Sequence, residues 1–451
     1  MKIINKTNQI GIVVFISTLS AMLPDESNYP LAFLPIILFI FLKVIDQNFS
    51  LKIIKPTKLF KFWIYFFLIY ILLNFINLVI YGDNFNIIES ISLGIIYIFY
   101  ILYFLQFNIE ELTDGIVRGI APMFGFILFI EVPLRIFSIT TLRDVRTVIG
   151  LRDVVLNTIL GFSEEASHFP ALLIILLPIL IIKIKNFKGK YISIEKLLIY
   201  AFTFICLLHI SGSYIISFIV PFLLFLLIKF FYYLIIKLKI KKTNWTLNLF
   251  ILSSIIFFTY YSGYLISKLE YSVNLDHSLS IRLLSLFTGI FDFIQNPILG
   301  NGAGFYRFTR GESIFEMISF LSFNNNLSSF IFNLNFASLG QLISSPGRPS
   351  VPVYSSIGYF LSESGIFFVL LFLIPFFNFV VSGLKYAWGN FNSFKLSNLL
   401  YIIIGINPLS YLIYFSIGYP RALPYFIISQ IYIYKFIKND SFQNSILSKK
   451  I

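Results

Sequence analysis

Long apolar runs constrain this chain more than any other feature. A helix that crosses a bilayer needs ~20 mostly apolar residues. Twelve segments meet or approach that length: roughly 10–23, 30–45, 62–81, 88–106, 116–137, 169–183, 197–211, 213–236, 246–266, 357–381, 397–416 and 422–437. Composition agrees, with 58% hydrophobic and 12% charged residues, where soluble domains carry roughly 45–50% and ~25%. A soluble enzyme is thereby excluded. The first run follows Lys2 and Lys6 as a signal peptide would, but no small-residue cleavage site comes after it, so it reads as a retained anchor. The expected fold is an all-α polytopic membrane protein with about 12 transmembrane helices.

The formal charge of +13 arises from 34 Lys and Arg against 21 Asp and Glu. On a soluble protein it would point to nucleic acid; on a membrane protein, topology accounts for it, because cytoplasmic loops collect basic residues. With the N-terminus placed in the cytoplasm, 24 basic residues fall inside and 10 outside, so both termini are expected to be cytoplasmic. The two sets differ in kind. All but Arg118 of the inside set are lysines, whereas the outside set is Lys268 and nine arginines: Arg135, Arg143, Arg146, Arg152, Arg282, Arg307, Arg310, Arg348 and Arg421. Lysine is the default base of this chain, and something outside selects the planar guanidinium fork, which holds phosphate or carboxylate through two parallel hydrogen bonds. The competing reading pairs these arginines with nearby acids such as Asp144, Asp153, Glu312 and Glu316.

Two outside loops are long, one over 138–168 and one of 88 residues from Ser267 to Tyr354. Loops of such length usually carry function or are disordered. The chain thus divides into 1–266 with nine spans, a large outer loop at 267–356 between the ninth and tenth, and 357–451 with three spans and a tail. Within the large loop, Leu279, Leu283, Leu286, Ile290 and Phe293 recur at helical spacing, with Asp276 or Ser278 as N-cap and Pro297 as stop. This pattern predicts a helix lying at the membrane surface. The run Asn296-Pro297-Ile298-Leu299-Gly300-Asn301-Gly302-Ala303-Gly304-Phe305 follows. Its alternate glycines permit positive φ and could bring amide groups close to a ligand.

The single cysteine, Cys206, allows no intramolecular disulfide, and His168, His209 and His277 are scattered, so neither a metal site nor a cofactor is expected. Glu164, Glu165 and His168 stand at the lip of the sixth span, and Glu164 and His168 would share a helix face. They are candidates for acid–base work or, alternatively, a helix cap. Glu131 and Arg135 have the same i, i+4 spacing near the outer end of the fifth span, as a functional pair or a structural bridge.

Three segments together resemble a known family. An arginine at the start of a surface helix (Ser280-Ile281-Arg282), followed by Asn-Pro-x-x-Gly-x-Gly-x-Gly-Phe, is similar to the large periplasmic loop of the O-antigen polymerase and O-antigen ligase superfamily. Gly161-Phe162-Ser163-Glu164-Glu165-Ala166-Ser167 resembles the Phe-x-Glu-Pro-Ser segment of polymerases, with Glu165 in place of proline. Ser362-Glu363-Ser364-Gly365-Ile366 resembles the Glu-x-Gly-hydrophobic segment that follows the large loop. Ligases carry a histidine before an Asn, Ser or Gln that lies ten residues ahead of a glycine. Counting back from Gly365, Ser355 fits but Tyr354 replaces the histidine, which favours polymerase. The Arg-x10-Gly pattern of polymerases is approached by Arg348 and Gly358, one residue short.

The resemblance implies a metal-independent glycosyltransferase in the bacterial inner membrane. Such an enzyme passes a growing glycan, held on undecaprenyl pyrophosphate, to an incoming lipid-linked repeat unit at the periplasmic face. It also implies membrane lipid and a chain-length regulator as partners, and no nucleic acid. Arg282 would stabilise the leaving pyrophosphate, and Glu164 or His168 would take the acceptor proton. Arg143, Arg146, Arg152, Gly300, Gly302, Gly304, Arg307, Arg310, Arg348, Tyr354 and Arg421 would bind substrate. A ligase is the alternative in the same class, and a flippase for lipid-linked oligosaccharides the alternative from another. The long outer loop and the scarcity of charges within the spans speak against the flippase.

Overall fold

The computed structural model describes residues 5–22, 56–81, 85–126, 129, 169–186, 200, 215–237, 277–302, 316–317, 355–391, 396–417 and 423–448. Their regular structure is helical, and no strand occurs among the described residues. The helices are α1 (Lys6–Met22), α2 (Lys58–Tyr81), α3 (Phe85–Leu105), α4 (Ile109–Phe126), α5 (Phe169–Asn186), α6 (Val220–Lys237), which follows a π-helical turn at Ile215–Ile219, and α7 (His277–Gln295). Next come α8 (Ser356–Phe368), a second π-helical turn at Val369–Leu373, α9 (Ile374–Asn390), α10 (Leu396–Ile417) and α11 (Leu423–Ser448). Helices coincide with nine of the apolar runs. Those at 30–45 and 246–266, all of 197–211 except Tyr200, and the loop at 138–168 lie outside the described residues.

Lys58–Ile80, Ser356–Asn390 and Asn398–Ser416 are long and apolar enough to cross a membrane. This is the architecture of an α-helical membrane protein. Helix α2 shows the reason. Phe60, Trp63, Phe66, Phe67 and Tyr70 are buried, yet Leu72, Phe75, Ile76, Val79 and Ile80 are exposed. A helix apolar all round is stable where its outward face meets hydrocarbon rather than water.

The chain forms two compact units. The first comprises Met1–Leu68, Ser92–Ile215 and Arg421–Ile451, the second Ile69–Ile91 and Ile216–Pro420. In the first, α1 and α4 pack through glycines: a β-carbon on Gly119 would lie 2.5 Å from the Gly11 carbonyl oxygen, and one on Gly115 would run into Ile10. Helices without side-chain bulk approach closely enough for dispersion to hold them together in lipid. Helix α4 begins well before the apolar run at 116 because of a capping box. The Asn108 side chain accepts from the Glu111 amide at 2.7 Å, and the Glu111 carboxylate accepts from the Asn108 amide at 3.0 Å. Three hydrogen bonds between buried polar groups of this unit join different helices. The Ser17 hydroxyl bonds the Tyr100 hydroxyl, Tyr425 donates to the Ser17 carbonyl at 3.1 Å, and Thr113 meets Tyr432 at 3.1 Å. Four basic residues assigned to the cytoplasmic set gather around one stretch, 104–118. Lys6 pairs with Glu111 at 3.3 Å and Lys183 with Asp114 at 2.5 Å. Arg118 donates to Asn8 at 2.6 Å, and Lys435 donates to the carbonyls of Phe104, Leu105 and Phe107.

In the second unit, α9 and α10 meet at Gly383 and Gly405, where a β-carbon on Gly383 would stand 2.6 Å from the Gly405 oxygen. Lys229 of α6 donates to the Trp388 carbonyl at 2.7 Å and lies 4.1 Å from the centre of its ring. A charge within an apolar run is thus satisfied by a carbonyl and a π face.

Candidate functional site

Helix α7 forms with nearly the predicted bounds, but among its described side chains most of the buried ones are polar. Arg282, Ser285, Thr288 and Asp292 are buried, with Gly289 and Phe291 between them, while Leu286, Ile290 and Phe293 are only half-buried and Ile294 is exposed. The buried spacing of three to four residues marks one helical stripe, and that stripe is polar. It lies on α8. The Gly358 backbone abuts Ser285 and Gly289, and a β-carbon at Gly289 would run into it. Further on, Ser362 donates to the Asp292 carboxylate at 2.5 Å. The pairings advance in the same direction along both helices, so α7 and α8 are parallel.

Helix α8 contributes Ser355, Ser356, Ser362, Glu363 and Ser364, all buried. Ser355 caps its start by accepting from the Gly358 amide at 3.0 Å. Tyr70 donates to the Glu363 carboxylate at 2.5 Å; its hydroxyl lies 2.9 Å from that of Tyr359, which in turn lies 3.1 Å from Ser90. The Ser364 hydroxyl is buried without a hydrogen-bond partner among the described residues.

Helix α8 is broken at Gly365, whose φ of 51° and ψ of −128° no ordinary side chain accepts. The break frees backbone groups that must find partners away from water, and the turn after α7 supplies them. The Ile366 amide donates to the Pro297 carbonyl at 2.8 Å, and the Asn301 amide donates to the Ser362 carbonyl at 2.6 Å. Gly300 and Gly302 take φ of 64° and 98°, and a β-carbon on Gly300 would run into the Ser362 oxygen. The glycine run thus does adopt positive φ, but the close approach it permits is to α8 rather than to a ligand. The Gly300 amide itself donates to the Asn296 carbonyl at 2.8 Å.

Of the residues singled out in the sequence, Arg282, Gly300 and Gly302 are therefore brought onto one helix pair. Glu164, His168, Arg143, Arg146, Arg152, Gly304, Arg307, Arg310, Arg348, Tyr354 and Arg421 lie outside the described residues, as do Glu131 and Arg135. Sequence reasoning passed over Asp292, Tyr70 and Ser90, and met Glu363 only as part of a motif, without a role. The signal was present for Glu363, a carboxylate inside an apolar run, since ionisable groups within membrane helices mark functional sites by default. Among the described residues no group of three or more His, Cys, Asp or Glu is placed to hold a metal ion. Comparison with protein families, with curated proteins and with solved structures finds no match to the chain.

Proposed function

We propose that the chain is a surface-polysaccharide polymerase of the O-antigen type, and that it works at the periplasmic face of the bacterial inner membrane with both termini in the cytoplasm. One observation carries this reading. The two segments on which the resemblance rests most, Asn296 to Gly302 and Ser362 to Ile366, lie 60 residues apart in sequence, yet they meet through two backbone hydrogen bonds. Segments with no structural relation would have no reason to be complementary in this way. The buried Arg282 on the same helix pair supports it further.

In this reaction the acceptor hydroxyl of one lipid-linked unit attacks the anomeric carbon of another. The bond from that carbon to the pyrophosphate oxygen breaks, the hydroxyl proton passes to a base, and the pyrophosphate leaves as an anion. Arg282 and the outer arginines stabilise the charge that develops on the leaving group, and Glu164 or His168 takes the proton. Glu363, held by Tyr70, is a positioning residue: it ties α8 to α2. The substrate is an undecaprenyl-pyrophosphate-linked oligosaccharide, with membrane lipid and a chain-length regulator as partners.

The test is deletion in the host followed by electrophoresis of the surface glycan. Loss of the long-chain ladder, with single repeat units still attached to their final acceptor, is expected. Loss of all attached glycan would instead identify a ligase or a flippase.

A further inference from the structure

We infer that α7 and the turn after it form a re-entrant element, which dips into the outer half of the bilayer beside α8 with one edge against lipid acyl chains. This inference needs only that the chain be a membrane protein and does not depend on the reaction proposed above.

Helix α8 opens the apolar run at 357–381, and α7 descends along it in parallel, from Ser285 beside Gly358 to Pro297 beside Ile366. The stretch Ser356–Asn390 has 35 residues and is broken at Gly365; the part after the break alone is about 38 Å long at ~1.5 Å per residue, which exceeds the ~30 Å of hydrocarbon. Length alone therefore does not say whether the part beside α7 is inside or outside the bilayer.

The surface of α7 decides it. A helix on α8 in water would bury apolar side chains there and expose its polar groups. Instead Arg282, Ser285, Thr288 and Asp292 are buried, while Leu286 and Ile290 are half-buried and Ile294 is exposed along the opposite stripe. Ile298 and Leu299 continue it as exposed residues on the turn. Irregular backbone is tolerated at membrane depth only where its polar groups are satisfied by protein or by a water-filled cavity, and the bonds to Ser362 and Ile366 meet that condition. Along the helix the exposed apolar surface is continuous in kind with Leu370, Ile374 and Phe377 farther down the same unit. The tip has a second edge, which is polar: Gln295 donates to Glu316 at 3.3 Å and Asn296 to Asn301 at 3.0 Å, with Gln295, Asn296 and Glu316 exposed. The two edges place acyl chains on one side of the tip and water on the other.

Nitroxide labels on single cysteines test this in the full chain, reconstituted in phosphatidylcholine and phosphatidylglycerol vesicles. Cys206→Ser removes the only native cysteine. Power saturation with oxygen and with a water-soluble nickel chelate then reports depth. Labels at Ile294→Cys and Ile298→Cys are expected to be relaxed by oxygen, and those at Gln295→Cys and Asn296→Cys by the chelate. Depth should increase from Leu286→Cys through Ile290→Cys to Ile294→Cys by about 6 Å per step, four residues at ~1.5 Å each. Equal depths along the stripe would show a helix lying flat on the surface, and chelate-dominated relaxation at Ile298→Cys would place the tip in water; either result overturns the inference. The exposed positions 294, 295, 296 and 298 tolerate labels without repacking. If Leu286→Cys fails to fold, the step from 290 to 294 still decides the question.

Discussion

Gly365→Ala is the substitution through which the coupling of α7 and α8 is most directly measured. A β-carbon there would stand 2.7 Å from the Pro297 oxygen, 2.8 Å from the Gly300 nitrogen and 2.8 Å from the Ile298 oxygen. All three are backbone atoms, so no side chain can swing aside. The conformation itself, at φ 51°, costs an alanine about 1–3 kcal/mol. The turn must then withdraw, and the hydrogen bonds from Ile366 to Pro297 and from Asn301 to Ser362 are lost, at about 1–3 kcal/mol for each group left buried without a partner. The total is about 4 kcal/mol or more, among the larger effects a single substitution produces. The assay is SDS-driven unfolding of the purified chain, followed by far-UV circular dichroism. Gly125→Ala in α4 and Gly389→Ala in α9 serve as references, since a β-carbon at either meets nothing within 4 Å; alanine there should be neutral or stabilise by up to ~1 kcal/mol. If Gly365→Ala unfolds within about 0.5 kcal/mol of these references, the turn does not hold the break and the reasoning fails.

Tyr70→Phe removes the donor to Glu363 and the partner of the Tyr359 hydroxyl, and should destabilise by about 1.5–3 kcal/mol because a buried carboxylate loses a bond; Tyr65→Phe, at an exposed position, is the control in the same unfolding titration. Gly119→Ala forces a β-carbon against the Gly11 carbonyl and should separate α1 from α4 at a cost of about 1–3 kcal/mol, readable as slower disulfide trapping between cysteines introduced on the two helices. Arg282→Lys keeps the charge and loses the guanidinium fork. With lipid-linked repeat units in vesicles it should lower the transfer rate about 100-fold, the scale of removing one preorganised donor, and an unchanged rate would remove Arg282 from the reaction.

The sequence made the end of α7 legible because it is set locally, by Pro297 two residues past Gln295. Its buried face was not. Helical periodicity locates a stripe of apolar residues, but it does not say whether protein or lipid lies against that stripe. Glu363 was visible as part of a motif, yet its burial depends on Tyr70, 293 residues away, and no local pattern encodes that contact. Gly300 was read as opening its amide to a ligand. The alternate glycines do signal close approach, but the object approached, the Ser362 carbonyl, belongs to a helix 62 residues later. The early start of α4 is the opposite case: Asn108 and Glu111 spell a capping box in four residues, and a search for apolar length alone passes over it.

The parallel arrangement of α7 and α8 also changes what the long loop has to explain. Two parallel neighbours need a connection that returns the length of the first helix, and α7, with 19 residues, is about 28 Å long at ~1.5 Å per residue. About ten extended residues would span that, at ~3.3 Å each. The chain uses 52, from Ala303 to Tyr354. Both ends of this stretch are anchored, one at the Gly365 break and the other at the Ser355 cap, so stability gains little from the extra length and loop-closure entropy opposes it. Arg307, Arg310 and Arg348 lie within the surplus. A connection some five times longer than its geometry requires, carrying arginines where this chain otherwise uses lysine, is where substrate recognition should reside under the polymerase function proposed above.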